Sequence, residues 1–366
     1  MNKIERIQQW LQDNNYDIAY LNDPISVNYF TGYQTDPIER VLGLFVFPNA
    51  DPFLFVPQLE VEASKKAGWN KEVYGYLDHE DPFKIISKHI MERLDLAPKN
   101  WAIEKFSLPV SRMESILVHF PDSQFVGDVS KYMEKTKLIK TPEEIALLQA
   151  AGKEADYAFS LGFQAIKEGK TEQEVVAEIE YGLMKKGVMH TSFDTIVQGG
   201  ANAANPHGGP EKTPLKRDEL ILFDLGTVHQ GYMSDASRTV AFGKPSAKSL
   251  EIYKVCLEAQ LTAQAAVKPG ITAAEIDKIA RDIIKKAGYG EYFIHRTGHG
   301  IGTSDHEFPS IMEGNDLVLQ PGMCFSIEPG IYIPGVAGVR IEDCVAVTET
   351  SSLSFTSTSK ELTYID

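Results

Sequence analysis

The chain has 366 residues, with 36 Lys plus Arg against 51 Asp plus Glu, a formal net charge of −15. Its 43% apolar and 24% charged residues are ordinary globular proportions that exclude a largely disordered chain, and the acidic balance excludes nucleic acid as the main partner, because phosphate binding needs a basic surface. No apolar stretch approaches the roughly 18 residues of a membrane span, the opening Met1-Asn2-Lys3-Ile4-Glu5-Arg6 lacks the apolar core of a signal peptide, and three cysteines make no disulfide framework, so a cytoplasmic protein is expected.

At about 150 residues per domain the length suggests two domains. Ile4, Ile7, Trp10 and Leu11 follow the stripe of a first helix. The runs VLGLFVFP (41–48) and PFLFVP (52–57) read as strands around the turn Asn49-Ala50-Asp51. Helix and strand signals alternate up to Trp101–Glu104, which predicts a small α/β domain over residues 1–132. Next comes Thr141-Pro142-Glu143-Glu144, with an N-cap threonine, proline at the first helical position and glutamate completing a capping box. It predicts a long helix through Ala155–Phe159 and a linker near 130–140, with a second domain over 133–366.

The second domain contains an internal repeat. Residues 166–175 (IKEGKTEQEV) match 267–276 (VKPGITAAEI) at a constant offset of 101, with Lys, Gly, Thr and Glu identical. Gly169 and Gly270 are expected to end one helix, and Thr171/Glu174 and Thr272/Glu275 to cap the next. A strand-rich segment follows each helix. The expectation is a pseudo-two-fold α+β unit, with a site where its halves meet.

Residues 220–241 (LILFDLGTVHQGYMSDASRTVA) read as a hairpin. With the turn centred between His229 and Gln230, Asp224 falls opposite Asp235, at the 4.5–5.5 Å typical of directly opposed side chains. Residues 323–348 (MCFSIEPGIYIPGVAGVRIEDCVAVT) repeat the pattern: a turn at Pro334-Gly335-Val336 puts Glu328 opposite Glu342. Single acids of this kind usually face solvent or cap turns. Four acids converging in an apolar sheet instead require compensating cations, and two divalent ions supply them. Between the hairpins, His295, His299 and His306 fall within twelve residues of a chain that has nine histidines in all. His299 lies in Gly298-His299-Gly300-Ile301-Gly302, which lets backbone pass close to a site. Cys324 and Cys344 read as small hydrophobes of the sheet.

The stretches FDLG (223–226), GYMSDASRT (231–239), HRTGHGIG (295–302), SIEPGIY (326–332) and GVRIED (338–343), with Asn28-Tyr29-Phe30-Thr31-Gly32 in the first domain, closely resemble the dinuclear metallopeptidases of the pita-bread fold. That family includes prolidases, aminopeptidase P and methionine aminopeptidases, and the bacterial Xaa-Pro dipeptidases are most similar. The resemblance implies an N-terminal creatinase-type α/β domain and a pita-bread catalytic domain. It implies two divalent ions held by Asp224, Asp235, His299, Glu328 and Glu342, with Asp235 and Glu342 bridging. The oxygen-rich set favours Mn²⁺, with Co²⁺ or Zn²⁺ as substitutes. The activity implied is hydrolysis of the bond before proline in dipeptides by a water shared between the ions, whose pKa falls toward about 7. Glu328 would shuttle the proton, His306 and His207 would donate to the oxyanion, and His207, His295 and Arg340 would contact substrate. An aminopeptidase P acting on longer peptides is the alternative, and a homodimer is expected from the family.

Overall fold

The structure is a computed structural model and describes residues 2–206 and 208–366. The chain divides into two compact units, Met1–Thr136 and Lys137–Asp366. The stretch expected as a linker is largely helical, over Val129–Lys137.

In the first unit a six-stranded sheet runs in the spatial order Glu72–Tyr76, Phe53–Pro57, Gly43–Val46, Ile18–Leu21, Asn100–Ile103, Gln124–Asp128. Ile18–Leu21 pairs antiparallel with Gly43–Val46 and parallel with Asn100–Ile103, so the sheet is mixed. The runs at 41–48 and 52–57 are apolar throughout because both faces are covered. Ala19, Leu21, Leu44, Val46, Leu54 and Val56 enter one core with Ile7 and Leu11 of the helix Lys3–Asn14. Their neighbours Ile18, Tyr20, Phe45, Phe47, Phe53 and Phe55 enter another with Trp101 and Ile103. The period-2 alternation of strands thus sorts aliphatic residues to one face and mostly aromatic ones to the other.

The second unit is built twice. Pro142–Ala165 and Glu172–Lys185 form one helix pair, Ala247–Ala266 and Ala273–Lys286 the other, and the second helices begin and end 101 residues apart. Capping boxes are present at Thr141/Glu144, Thr171/Glu174 and Thr272/Glu275. The long helices end earlier than expected, at Ala165 and Ala266, and Gly169 (φ +81°) and Gly270 (φ +93°) lie in the turns beyond them. That left-handed conformation explains the glycines better than a helix end does. Each pair packs on its own sheet. Phe159, Val175 and Ile179 meet Ile221, Phe223 and Val240, while Ile252, Ile276 and Ala280 meet Phe325 and Val345.

The first half's sheet has the order Tyr364–Ile365, Ala236–Phe242, Glu219–Leu225, Ile196–Gly199. In the second half the order is Glu307–Ile311, Gly298–Gly300, Cys324–Ile327, Asp343–Val347, Ser352–Ser354, with a separate ribbon of Gly330–Ile333 and Ala337–Arg340. Among the described residues no helix is long and apolar enough to cross a membrane.

Candidate metal centre

Asp224 is the penultimate residue of the strand Glu219–Leu225, and Asp235 immediately precedes Ala236–Phe242. The ladder pairs Asp224 with Ser237, and further out Val228 with Met233 and His229 with Tyr232. The turn is therefore Gln230-Gly231, one residue later than expected. Both residues have positive φ, +48° and +83°, as a two-residue type I′ turn requires. Moving a turn centre by one residue moves every pairing by two. Asp235 is accordingly diagonal to Asp224 rather than opposite it, but the period of 2 keeps both acids on one face.

In the second hairpin the expected count holds. Ile327 pairs with Asp343 and Gly330 with Arg340, which puts Glu328 across from Glu342. His299 is the middle residue of Gly298–Gly300, and Gly300 pairs with Phe325 of the neighbouring strand. A Cβ at Gly298 would come within 1.9 Å of the Ser326 carbonyl oxygen, so only glycine allows this approach.

Asp224, Asp235, His295, His299, His306, Glu328, Arg340 and Glu342 all line one cleft of about 640 Å³. His207, assigned to substrate and oxyanion, lies outside the described residues, although Pro206 and Gly208 line the same cleft. One possible ligand atom from each of Asp235, His299 and Glu342 falls within a single 4.8 Å group, and all three side chains are buried. His299 Nε2 lies 3.1 Å from Glu328 Oε1 and 3.5 Å from Asp235 Oδ2.

The donor set fits divalent cations on three grounds. Asp224 Oδ1 and Glu342 Oε1 are buried with no hydrogen-bond partner, an arrangement that is costly unless a cation faces them. His299 Nδ1 bonds to the Gly300 carbonyl oxygen (3.2 Å), which can only accept, so the proton is on Nδ1 and the Nε2 lone pair faces carboxylates. Burial, reinforced by the negative charges of Glu342, Asp224 and Glu328, pushes the Asp235 carboxyl well above its ordinary range. Burial with the charges of Glu328 and Asp224 does the same to Glu342. Burial also acts against ionisation of Glu328, but whenever His299 is protonated its hydrogen bond and charge, with the charges of His295 and Arg340, overcome it and lower that carboxyl to about 2.

Arg340 is buried, and three of its five side-chain N–H donors are committed within the protein. Nη2 pairs with Asp224 Oδ2, Nη1 donates to the Tyr332 hydroxyl (2.8 Å) and Nε to Ser237 Oγ (2.8 Å). Ser237 Oγ in turn donates to Glu342 Oε2 (2.7 Å). His295 donates from Nδ1 to the Arg296 carbonyl (2.7 Å) and accepts at Nε2 from Tyr332 (3.0 Å). A substrate carboxylate reaching His295 would have to replace one of its two bonds, whereas Arg340 has a second N–H on each of Nη1 and Nη2. His306 is placed differently. Arg296 Nη2 donates to its Nδ1 (3.1 Å), leaving the proton on Nε2, and its ring centroid lies 3.8 Å from that of His299. Burial, then the neighbouring His299 charge, lowers its pKa and favours the neutral donor.

Ser237 and Tyr332 escaped the sequence reading as functional residues. Ser237 is two residues from Asp235 on a strand, so alternation alone places it on the acidic face. Tyr332 ends the stretch SIEPGIY, but its hydroxyl contacts depend on tertiary packing. Burial raises the thiol pKa of Cys324 and of Cys256 to about 12, in keeping with small apolar roles.

Two β-hairpins closing an acidic, histidine-containing centre beneath paired helices define a metallopeptidase of the pita-bread type, and the chain belongs to metallopeptidase family M24, which residues 146–349 match. Residues 3–137 match the creatinase/prolidase N-terminal domain, so an N-terminal creatinase-type domain precedes the catalytic one. The chain is 57% identical to a Xaa-Pro dipeptidase of Lactobacillus helveticus, over 99% of this chain and 98% of that one. It is 55% identical to a Xaa-Pro dipeptidase of Lactobacillus delbrueckii subsp. lactis, over 98% of each. The crystal structure of the prolidase from Pyrococcus horikoshii OT3 superposes with a TM-score of 0.91 at 36% identity, covering 98% of this chain and 99% of that one.

Proposed function

We propose that the chain is a Xaa-Pro dipeptidase that releases proline from dipeptides at a centre formed by Asp224, Asp235, His299, Glu328 and Glu342. The observation that carries this reading is the convergence of all five side chains in one cleft, in a chain similar over its whole length to enzymes named for that activity. Divalent cations bound there supply Lewis acidity and a water of pKa near 7. Glu328 takes the proton of the attacking water and passes it to the leaving proline nitrogen. His306, with its proton on Nε2, donates to the developing oxyanion, and His207 is assigned the same task and contact with substrate. Arg340 and His295 remain the substrate-carboxylate contacts proposed, and Arg340 also orients Asp224.

Proline has no N–H and a fixed φ, so enzymes that read extended peptides through that N–H lose a contact. The oxygen-rich ligand set supports Mn²⁺ as the working metal, with Co²⁺ or Zn²⁺ as substitutes. A homodimer in the cytoplasm completes the proposal. The test is a rate comparison on Leu-Pro, Leu-Pro-Gly and Leu-Gly at defined Mn²⁺. Fast cleavage of Leu-Pro alone is expected, and faster cleavage of Leu-Pro-Gly would assign an aminopeptidase P activity instead.

A further inference from the structure

Glu172 opens the helix Glu172–Lys185 and is fully buried. No lysine, arginine or histidine pairs with it among the described residues; its carboxylate is held by N–H donors alone. Gly199 N–H donates to Oε1 (2.7 Å), while Glu211 N–H (2.7 Å) and Asn202 Nδ2 (2.8 Å) donate to Oε2. Gly199 ends the strand Ile196–Gly199, and Glu211 follows Pro206, Gly208, Gly209 and Pro210, which line the cleft. The neighbouring Gln173 adds a bond from Nε2 to the Pro210 carbonyl (3.1 Å). One carboxylate thus ties together both ends of a cleft-lining segment.

The repeat shows that the fold itself does not need this acid. The position 101 residues on is Ala273, equally buried, at the start of a helix of the same length behind the same capping box. There the corresponding turn is closed without a buried carboxylate, by Ala273 N–H to the Leu317 carbonyl (3.0 Å) and Ala274 N–H to that of Asn315 (2.9 Å), with the Asn315 side chain bonding the Ser310 carbonyl and the Leu317 N–H. The first half makes the equivalent backbone bonds too, from Glu172 N–H to the Thr213 carbonyl (3.2 Å) and Gln173 N–H to that of Glu211 (3.3 Å). Retaining a buried, cation-free carboxylate carries a desolvation cost that only the segment 199–211 explains.

We propose that Glu172 is a positioning residue for the reaction, clamping the segment 199–211 so that Pro206, Gly208, Gly209 and Pro210 form a fixed wall of the substrate cleft. This rests on the dipeptidase reading. The segment holds none of the five proposed metal ligands but carries His207, to which oxyanion donation and substrate contact are assigned, so releasing it impairs turnover of Leu-Pro and leaves the metal centre in place. A glutamine cannot substitute: its single carbonyl satisfies one side, and its amide N–H₂ then faces another donor.

The test uses the full-length enzyme loaded with Mn²⁺ and compares wild type, Glu172→Gln and Asn202→Ala. For Glu172→Gln the expectation is a kcat/KM for Leu-Pro lowered about 10-fold or more. Bound manganese should be unchanged, and the Gly199 and Glu211 amides should exchange about tenfold faster or more. Asn202→Ala, which removes one donor from the carboxylate, should lower kcat/KM about threefold in the same pattern. An unchanged kcat/KM in both variants, or a loss of bound manganese that accounts for the fall, would overturn the proposal. If Glu172→Gln does not fold, Asn202→Ala and its amide exchange decide. If wild type fails to cleave Leu-Pro, the dipeptidase reading falls, and the exchange rates still decide whether the clamp exists.

Discussion

His299 turns its Nε2 toward Glu328 Oε1 at 3.1 Å while its Nδ1 is held by the Gly300 carbonyl at 3.2 Å. The ring is therefore oriented by backbone, and an unprotonated nitrogen faces acids that are themselves crowded. Without cations, Asp235 and Glu342 take up protons far more readily in the folded chain than in an unfolded one. A carboxyl with a raised folded pKa makes stability fall as pH rises from its unfolded value of about 4 up through the folded one. Chelated protein should therefore lose thermal stability progressively above about pH 4. Mn²⁺ at about 100 times its dissociation constant should restore about 2.7 kcal/mol, or about 5–10 °C in a unit of this size. Scanning calorimetry of chelated and reloaded protein across pH checks both signs.

Ser237 links the centre to Arg340, donating to Glu342 and accepting from the guanidinium. Ser237→Ala leaves the five proposed ligands in place but frees the Glu342 carboxylate and one arginine donor. Loss of such an outer contact costs about 10–100-fold in metal affinity or activity. Metal titration and Leu-Pro turnover of the variant measure it, and values equal to wild type would show that the bond is dispensable.

Glu307 anchors the turn before it, accepting at Oε1 from Thr303 N–H (3.0 Å), Ser304 N–H (3.1 Å) and Lys137 Nζ (2.5 Å), with Lys140 Nζ 3.2 Å from Oε2. Burial opposes its ionisation, but the charges of Lys140 and Lys137 outweigh it and lower the pKa. For a depressed carboxyl the sign is the reverse of the previous case. The stabilisation is complete above the unfolded value of about 4.3 and disappears as pH falls through the folded value. Glu307→Gln strands two lysines and should cost about 3–5 kcal/mol at pH 7. Urea unfolding at falling pH should show the gap to wild type narrowing below about pH 4.

Gly298→Ala places a methyl group 1.9 Å from the Ser326 carbonyl oxygen. Backbone cannot yield as a flexible side chain does, so the strand carrying His299 must shift. A stability loss of about 1–3 kcal/mol is expected, together with weaker metal binding, read by calorimetry and metal content.

The elements that sequence reading placed well are those whose signals are local. Thr141-Pro142-Glu143-Glu144 and the two Thr-x-x-Glu boxes fix helix starts through bonds within four residues. The hairpin register around Glu328 and Glu342 followed from Gly335 in the turn. The first hairpin slipped because Gln230, a side chain seldom found at positive φ, occupies a turn position that composition assigns to glycine or asparagine. The acids were still found, since the period of 2 preserved their face. What stayed illegible was long-range. The commitment of Arg340 to Asp224, Tyr332 and Ser237 joins positions up to 116 residues apart, and no local pattern announces it.

The central claim is that paired cations among these acids drive Xaa-Pro cleavage. Its most direct measurement is a titration of rigorously chelated protein with Mn²⁺, following Leu-Pro hydrolysis and bound metal together. The account predicts no hydrolysis in the chelated protein and a plateau at two ions per chain, abolished in Asp235→Ala. Full Leu-Pro hydrolysis by metal-free protein would contradict it.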